Sequence, residues 1–187
     1  MRIIAGVAKG RNLSTVAGAT RPTSDRAREA LFSTLLSEFG EFENLKFLDL
    51  FAGSAAVGLE ALSRGAEIVH AVEKDDSAVK TIRANQEIVE KSKPIGKFHL
   101  YPMSAQKFLG NIGNQYDIIF MDPPYEFGDQ AVHELLNSIV ANNFLRKGGI
   151  VVVERATKGS YINWPAPLKE LRTKEYGVAT LYYGEMG

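Results

Sequence analysis

From residue 46 to residue 155 the chain repeats one pattern: a short, almost unbroken apolar run, then a stretch with apolar residues at helical spacing. The apolar runs are KFLDLF (46–51), IVHAVEK (68–74), KFHLYPM (97–103), YDIIFMD (116–122) and GIVVVER (149–155). Between them lie AAVGLEALSRG, DSAVKTIRANQEIVEKS, a short helix near SAQKFLG, and DQAVHELLNSIVANNF. Strands that are apolar on both sides need cover on both faces, which is the signature of a parallel sheet between two layers of helices. The end of the chain differs. LKELRTKEYG and VATLYYGE are separated by one Gly turn and no helix, so they are expected to pair antiparallel. The expected fold is a doubly wound α/β sheet with a C-terminal antiparallel hairpin.

Ahead of the sheet, RIIAG and RNLSTV flank VAKG as a candidate hairpin. In ATRPTSDRAREALFSTLLSEFG, Pro22 stops extension, Thr23 or Ser24 can cap, and Asp25 suits a first helical turn. Ala27, Leu31, Phe32, Leu35, Leu36 and Phe39 then form an apolar face, and Gly40 ends the helix. Residues 1–40 are therefore expected to be a basic hairpin-and-helix extension, and residues 41–187 the sheet domain. The formal net charge is zero, but it is unevenly spread. Residues 1–28 hold six bases against one acid, and the remainder holds sixteen against twenty-one, so a head at +5 sits on a body at −5. A basic head on an acidic body is, on charge alone, equally a solvated charged arm or a surface for a polyanionic partner.

With no cysteine in the chain, disulfides, thiol catalysis and thiolate metal sites are excluded. No apolar run approaches the roughly 20 residues of a membrane span. The opening MRIIAGVAKGRNL is too short and too charged for a signal peptide, and a cytoplasmic protein is expected.

Doubly wound sheets bind ligands outside the carboxyl ends of their strands, where strand order reverses. Those ends carry Asp49, Glu73, the Met103–Ser104 pair and Asp122. LDLFAGSAAVGLEAL places Gly53, Ala55 and Gly58 at the spacing of a nucleotide-binding loop, with Glu73 at the end of the next strand, where a ribose-binding acid belongs. Both dinucleotides and S-adenosylmethionine fit that pattern. A pyrophosphate wants free N–H groups and no carboxylate nearby, and Asp49 sits just before the loop. An acid-lined pocket suits the ammonium and sulfonium of S-adenosylmethionine instead.

In DPPY, proline fixes φ, lacks an N–H and holds the preceding residue extended. Asp122 is thus expected to continue its strand and stand at the edge of the sheet. Its carboxylate and a carbonyl near Pro123 offer two acceptors, which suit the two hydrogens of an –NH2 group. Tyr125 offers a ring for a planar base to stack on. Such a corner could orient an exocyclic amine toward a methyl donor and take the released proton at Asp122, with alignment supplying most of the rate.

DLFAGSAAVGLEALSRGA together with DPPY resembles the amino-group methyltransferases dependent on S-adenosylmethionine. The head, RIIAGVAKGRNLSTVAGATRPTSDRAREALFSTL, is similar to that of the bacterial 16S ribosomal RNA guanine-N2 methyltransferases, and the likeness runs almost end to end. The resemblance implies a Rossmann-like methyltransferase sheet with a small basic N-terminal extension. It implies cofactor contacts from Asp49, Phe51, Gly53 and Glu73, with Ser104 and Ala105 flanking the adenine. It implies that Asp122, Pro123 and Tyr125 hold a flipped guanine, and that Arg21, Pro22 and Thr23 face the RNA. Arg2, Lys9, Arg11, Arg26 and Arg28 could neutralise phosphates alongside Arg21. The family usually has a second glycine where this chain has Ala55.

Ser14, Ser24, Ser33 and Ser54 have no histidine at a telling spacing for a hydrolase. His70, His99 and His133 each fall inside an element and read as packing or solvent-facing residues, and no metal is expected. Trp164 reads as a packing anchor. Three functions stay open on the residues: a 16S rRNA guanine-N2 methyltransferase, a methyltransferase for DNA adenine N6 or a protein glutamine, and a non-catalytic RNA-binding assembly factor. The first is preferred, because a DNA enzyme should carry a larger target-recognition insertion and DPPY is intact. The expected partner is 16S rRNA or a small-subunit particle, met by a monomer.

Overall fold

The computed structural model describes residues 1–16, 24–111, 113–124, 126–158 and 161–187. Its elements are α1 (Asp25–Phe39), β1 (Lys46–Leu50), α2 (Ala56–Ser63), β2 (Ile68–Glu73), α3 (Asp76–Glu90), β3 (Lys97–Pro102), α4 (Ala105–Leu109), β4 (Tyr116–Met121), α5 (Asp129–Ala141), β5 (Leu145–Ala156), β6 (Leu168–Tyr176) and β7 (Ala179–Met186). The seven strands form one sheet in the order β3-β2-β1-β4-β5-β7-β6. The first five are mutually parallel; β7 joins β5 antiparallel and β6 pairs outside it. This is the doubly wound sheet with its terminal hairpin. Strand order reverses between β1 and β4, so their carboxyl ends flank the crevice.

Alternation within each strand splits the core in two. Phe47, Val69, Phe98, Ile118, Phe120 and Val152 face α1, α2, α3 and the head. Leu48, Leu50, Val72, Ile119, Met121 and Val153 face α4 and α5. Both faces are dry, which is why these strands read as unbroken apolar runs.

Several boundaries differ from the sequence expectation. α5 ends at Ala141, because Asn143 turns left-handed (φ 56°) and the Phe144 N–H returns to the Ile139 carbonyl at 3.0 Å. β5 starts earlier, at Leu145, opposite Tyr116, and an irregularity at Gly148–Gly149 resets its register to Ile118 against Ile150. β4 stops at Met121, one residue before Asp122.

Ser24 caps α1 by accepting from the Ala27 N–H, and Gly40 closes it with φ 78°. The expected hairpin of the head is present but short: around an Arg2–Asn12 bridge, the N–H groups of Ile3, Gly10 and Leu13 donate to the carbonyls of Arg11, Ile3 and Met1, each at 2.9 Å. The head docks on α2 and α3 largely through side chains of those helices, with one backbone bond from Val7 N–H to the Ser63 carbonyl at 2.8 Å. The fully buried carboxylate of Glu60 accepts from Ile4 N–H (2.7 Å), Ala5 N–H (2.9 Å) and Arg64 Nε (2.8 Å). Ser63 Oγ donates to the Ala5 carbonyl at 2.6 Å and accepts from Ala8 N–H at 3.0 Å. At Gly6 (φ 81°) a Cβ would lie 1.8 Å from the Ser63 carbonyl oxygen, so only glycine lets the head approach this closely. Among the described residues no helix is long and apolar enough to cross a membrane.

Candidate active site

The loop between β1 and α2 turns by placing Phe51 (φ 65°), Gly53 (φ 57°) and Ala55 (φ 58°) in the left-handed region. For Phe51 and Ala55 that costs roughly 1–2 kcal/mol each, and four bonds hold the turn. Ala52 N–H donates to the Val72 carbonyl (3.0 Å), Ala55 N–H to the Ala52 carbonyl (2.7 Å), Gly53 N–H to Glu73 Oε2 (2.8 Å) and Gly58 N–H to Asp49 Oδ2 (2.9 Å). The alanine at the usual glycine position thus adopts the glycine-like conformation, fully buried, immediately before α2.

Asp49 is 1% exposed. Burial pushes its carboxyl up to about 7, the Gly58 N–H pulls it back, and the neighbouring Glu73 charge adds to the push. Glu73, at the end of β2, also accepts from Asp75 N–H at 2.9 Å through its other oxygen. An ionised carboxylate has about four acceptor positions, so both oxygens keep capacity for a ligand.

These residues open onto a cavity of about 410 Å³ outside the carboxyl ends of β1, β2 and β4. Asp49, Phe51, Gly53, Glu73, Ser104, Ala105, Asp122 and Pro123 all line it. Its size falls within the roughly 300–1,000 Å³ of small-molecule sites, and Asp49 and Glu73 supply negative charge to it. That donor set fits the cation S-adenosylmethionine better than a pyrophosphate. Ser104 caps α4, its Oγ accepting from Lys107 N–H at 3.2 Å. Its hydroxyl proton can still be donated, while Ala105 is buried beside it.

At the DPPY corner Asp122 is partly exposed and Pro123 buried. The Pro124 carbonyl accepts from Phe127 N–H at 2.8 Å, so it belongs to the turn and the ligand-facing carbonyl must be sought nearer Pro123. The Phe127 ring meets Phe51 edge-to-face at 5.3 Å, tying this corner to the glycine-rich loop. Tyr125 lies outside the described residues, as do Arg21, Pro22 and Thr23.

Arg2, Lys9, Arg11 and Arg26 are exposed on the head. Arg28 is a correction: expected to meet phosphate, it is fully buried, donating to the Arg2 carbonyl and to Asp25 Oδ1 (2.9 Å). A helical residue one turn from the cap points at the head rather than at solvent, and here it fastens the head to α1.

Met1, Thr15 and Val16 also line the cavity, so the head forms part of the site. Buried Asn85 of α3 explains how. Its Oδ1 accepts from Ser14 N–H at 2.8 Å, and its Nδ2 donates to the carbonyls of Ser14 and Ser54, both at 3.0 Å. One amide thus links the head to the glycine-rich loop, and nothing in its sequence neighbourhood marks it. Glu154 also lines the cavity and was not singled out, although it sits at the end of GIVVVER, where the strand-end rule would have found it. His70 is buried against Tyr116, its Nδ1 2.6 Å from the phenol oxygen; burial first, with the charges of His99 and Lys46, lowers it to about 4, so it packs as a neutral ring. Trp164 fills the space over Gly184, where a Cβ would lie 2.3 Å from its ring. Among the described residues no group of side chains could hold a metal ion.

The family model described as conserved hypothetical protein 95 matches residues 1–185. The ribosomal RNA small subunit methyltransferase D of Haemophilus influenzae is 33% identical over 179 residues, covering 92% of this chain and 89% of that one. Its Escherichia coli namesake is 32% identical over 178 residues, covering 95% and 85%. Among solved structures, a hypothetical protein of Thermus thermophilus superposes with a TM-score of 0.83 at 32% identity, covering 100% of this chain and 99% of that one.

Proposed function

The chain belongs to the conserved hypothetical protein 95 family, alongside the ribosomal RNA small subunit methyltransferases D, and from that premise we propose that it methylates the exocyclic N2 of a guanine in 16S ribosomal RNA. The observation that carries this reading is the convergence of Asp49, Glu73 and Asp122 on one cavity at the reversal of strand order.

S-adenosylmethionine is the cofactor, and when bound it supplies an electrophilic methyl group on a sulfonium. Asp49 and Glu73 are suited to hold its cationic and ribose ends, and the Gly53 and Ala55 turn gives it a close approach to backbone. Ser104 and Ala105 would border its adenine. Asp122 and the Pro123 carbonyl would accept the two N–H bonds of the guanine amine. That contact favours a pyramidal nitrogen, whose lone pair is otherwise delocalised into the ring, and Asp122 would receive the proton released on transfer. Tyr125 would stack on the base, which must leave its helix to enter.

Arg2, Lys9, Arg11 and Arg26, with Arg21 and Thr23, would hold the phosphate backbone, and the acidic body would discourage RNA elsewhere. Residues 1–40 act in this reading as the RNA-facing extension of the domain that follows. The enzyme would work in the cytoplasm on free 16S rRNA or on a small-subunit particle. Both substrates, incubated with labelled methyl donor and digested to nucleosides, should yield labelled N2-methylguanosine. Label in adenosine, or in protein, or in neither overturns the reading.

A further inference from the structure

A second carboxylate stands beside Asp122. β4 and β5 run parallel, with Phe120 opposite Val152 and Met121 opposite Val153. Carried one residue past the end of β4, that register would bring Asp122 opposite Glu154, roughly one strand spacing, about 5 Å, away. Glu154 shares the face of Val152 by alternation, the same alternation carried past Met121 would turn Asp122 to the face of Phe120, and both acids line the cavity. Glu154 is 9% exposed, so its carboxylate is largely withdrawn from bulk water. Each of the two also engages another group of the protein, which leaves acceptor capacity on a group with about four acceptor positions.

The chemistry of the bases decides what this pair can read. Guanine carries its C2 amine next to N1–H, so two adjacent positions on one edge are donors. Adenine carries its amine next to a bare N1, and cytosine next to a bare N3, both acceptors. An amine held at Asp122 would turn the neighbouring ring position of any of these bases toward an adjoining wall. A carboxylate in that wall is satisfied by the N1–H of guanine and repelled by the lone pairs of the others.

We infer that Glu154 is a specificity-determining residue that accepts the N1–H of the target guanine while Asp122 and the Pro123 carbonyl hold its N2 amine. This rests on the guanine-N2 reading above and adds the residue that would choose the base.

The discriminating probe is 2-aminopurine, which keeps the C2 amine and lacks the N1 hydrogen. Once the modified nucleotide is mapped, RNA carrying guanosine or 2-aminopurine at that position is compared under single turnover. The fragment is ligated into full-length 16S rRNA if it is not accepted alone. The unsubstituted enzyme should lose roughly tenfold to a hundredfold in kcat/KM on 2-aminopurine, since a buried acceptor is left facing a lone pair. Glu154→Gln, whose amide can turn an N–H toward a bare N1, should shrink that ratio by at least about tenfold. Its cofactor affinity and melting temperature should match the parent, showing that the site is intact. Equal rates on the two RNAs overturn the inference, and that comparison needs no variant. An unchanged ratio in a folded Glu154→Gln overturns it as well. If no guanosine N2 is labelled in any RNA, the substrate reading has failed, and this inference fails with it.

Discussion

Two carboxylates in neighbouring elements receive backbone N–H groups, and they end in opposite situations. Glu60, under the head, takes Ile4, Ala5 and Arg64, and no water reaches it. Glu73, at the edge of the sheet, takes Gly53 and Asp75 but looks into an open cavity. The head uses its acid as a fastener, consumed by the fold. The edge uses its acid to shape a loop while keeping a side turned to a ligand. Charge content alone would rank the two residues together; access and remaining acceptor capacity separate them.

The strongest way to test the contrast is to remove the acid that the edge presents to substrate. Asp122→Ala should lower single-turnover methyl transfer by about a thousandfold or more, with cofactor affinity within roughly threefold because Asp49 and Glu73 remain. An active variant, assayed with labelled donor, would take Asp122 out of the chemistry. Next comes the fastener. Glu60→Ala strands two N–H groups and a mostly buried guanidinium, and should cost about 3–5 kcal/mol in urea unfolding. A loss under about 1 kcal/mol would mean the head is not anchored there.

A third test uses protons. The carboxyl of Asp49 is pushed up to about 7 in the free protein, and a bound cation favours its ionised form. Affinity for S-adenosylmethionine should therefore be full above that pH and decline as pH falls below it, by up to about tenfold per unit. Calorimetry from about pH 5.5 to 8.5 should show proton release on binding near pH 6, and a flat affinity profile would contradict this. A fourth compares bases within the head. Replacing Arg2, Lys9 and Arg26 with alanine should reduce the salt slope of RNA binding by about 2–3. Arg28→Lys should leave that slope alone and lower the melting temperature. The smallest effect is at the loop: Ala55→Gly relieves a left-handed alanine and should shift stability by no more than about 1 kcal/mol.

The sheet was legible because its signal is local. Each buried strand announces itself by its own apolar run, and the ends of those runs point to the crevice, so Asp49, Glu73 and Asp122 could be grouped without coordinates. What escaped depends on residues distant in the chain. Asn85 lies 71 positions from Ser14, which it clasps, and Glu60 sits in a helix that reads simply as buried. Arg28 misled for the same reason, since counting bases says nothing about which way a helix faces. Glu154 escaped differently: its strand, GIVVVER, was recognised, but the end of that strand was not among those compared.

The seating of β7 between β5 and β6 has a consequence for biosynthesis. β6 leaves the ribosome first yet has no place beside β5, which pairs directly with β7. Until Ala179–Met186 is made, the central sheet keeps a long apolar flank with unpaired N–H and C=O groups, a template for sticking to other nascent chains. Translation that stalls shortly before this point would leave an adhesive product, making β7 the strand whose arrival covers that flank in a crowded cell.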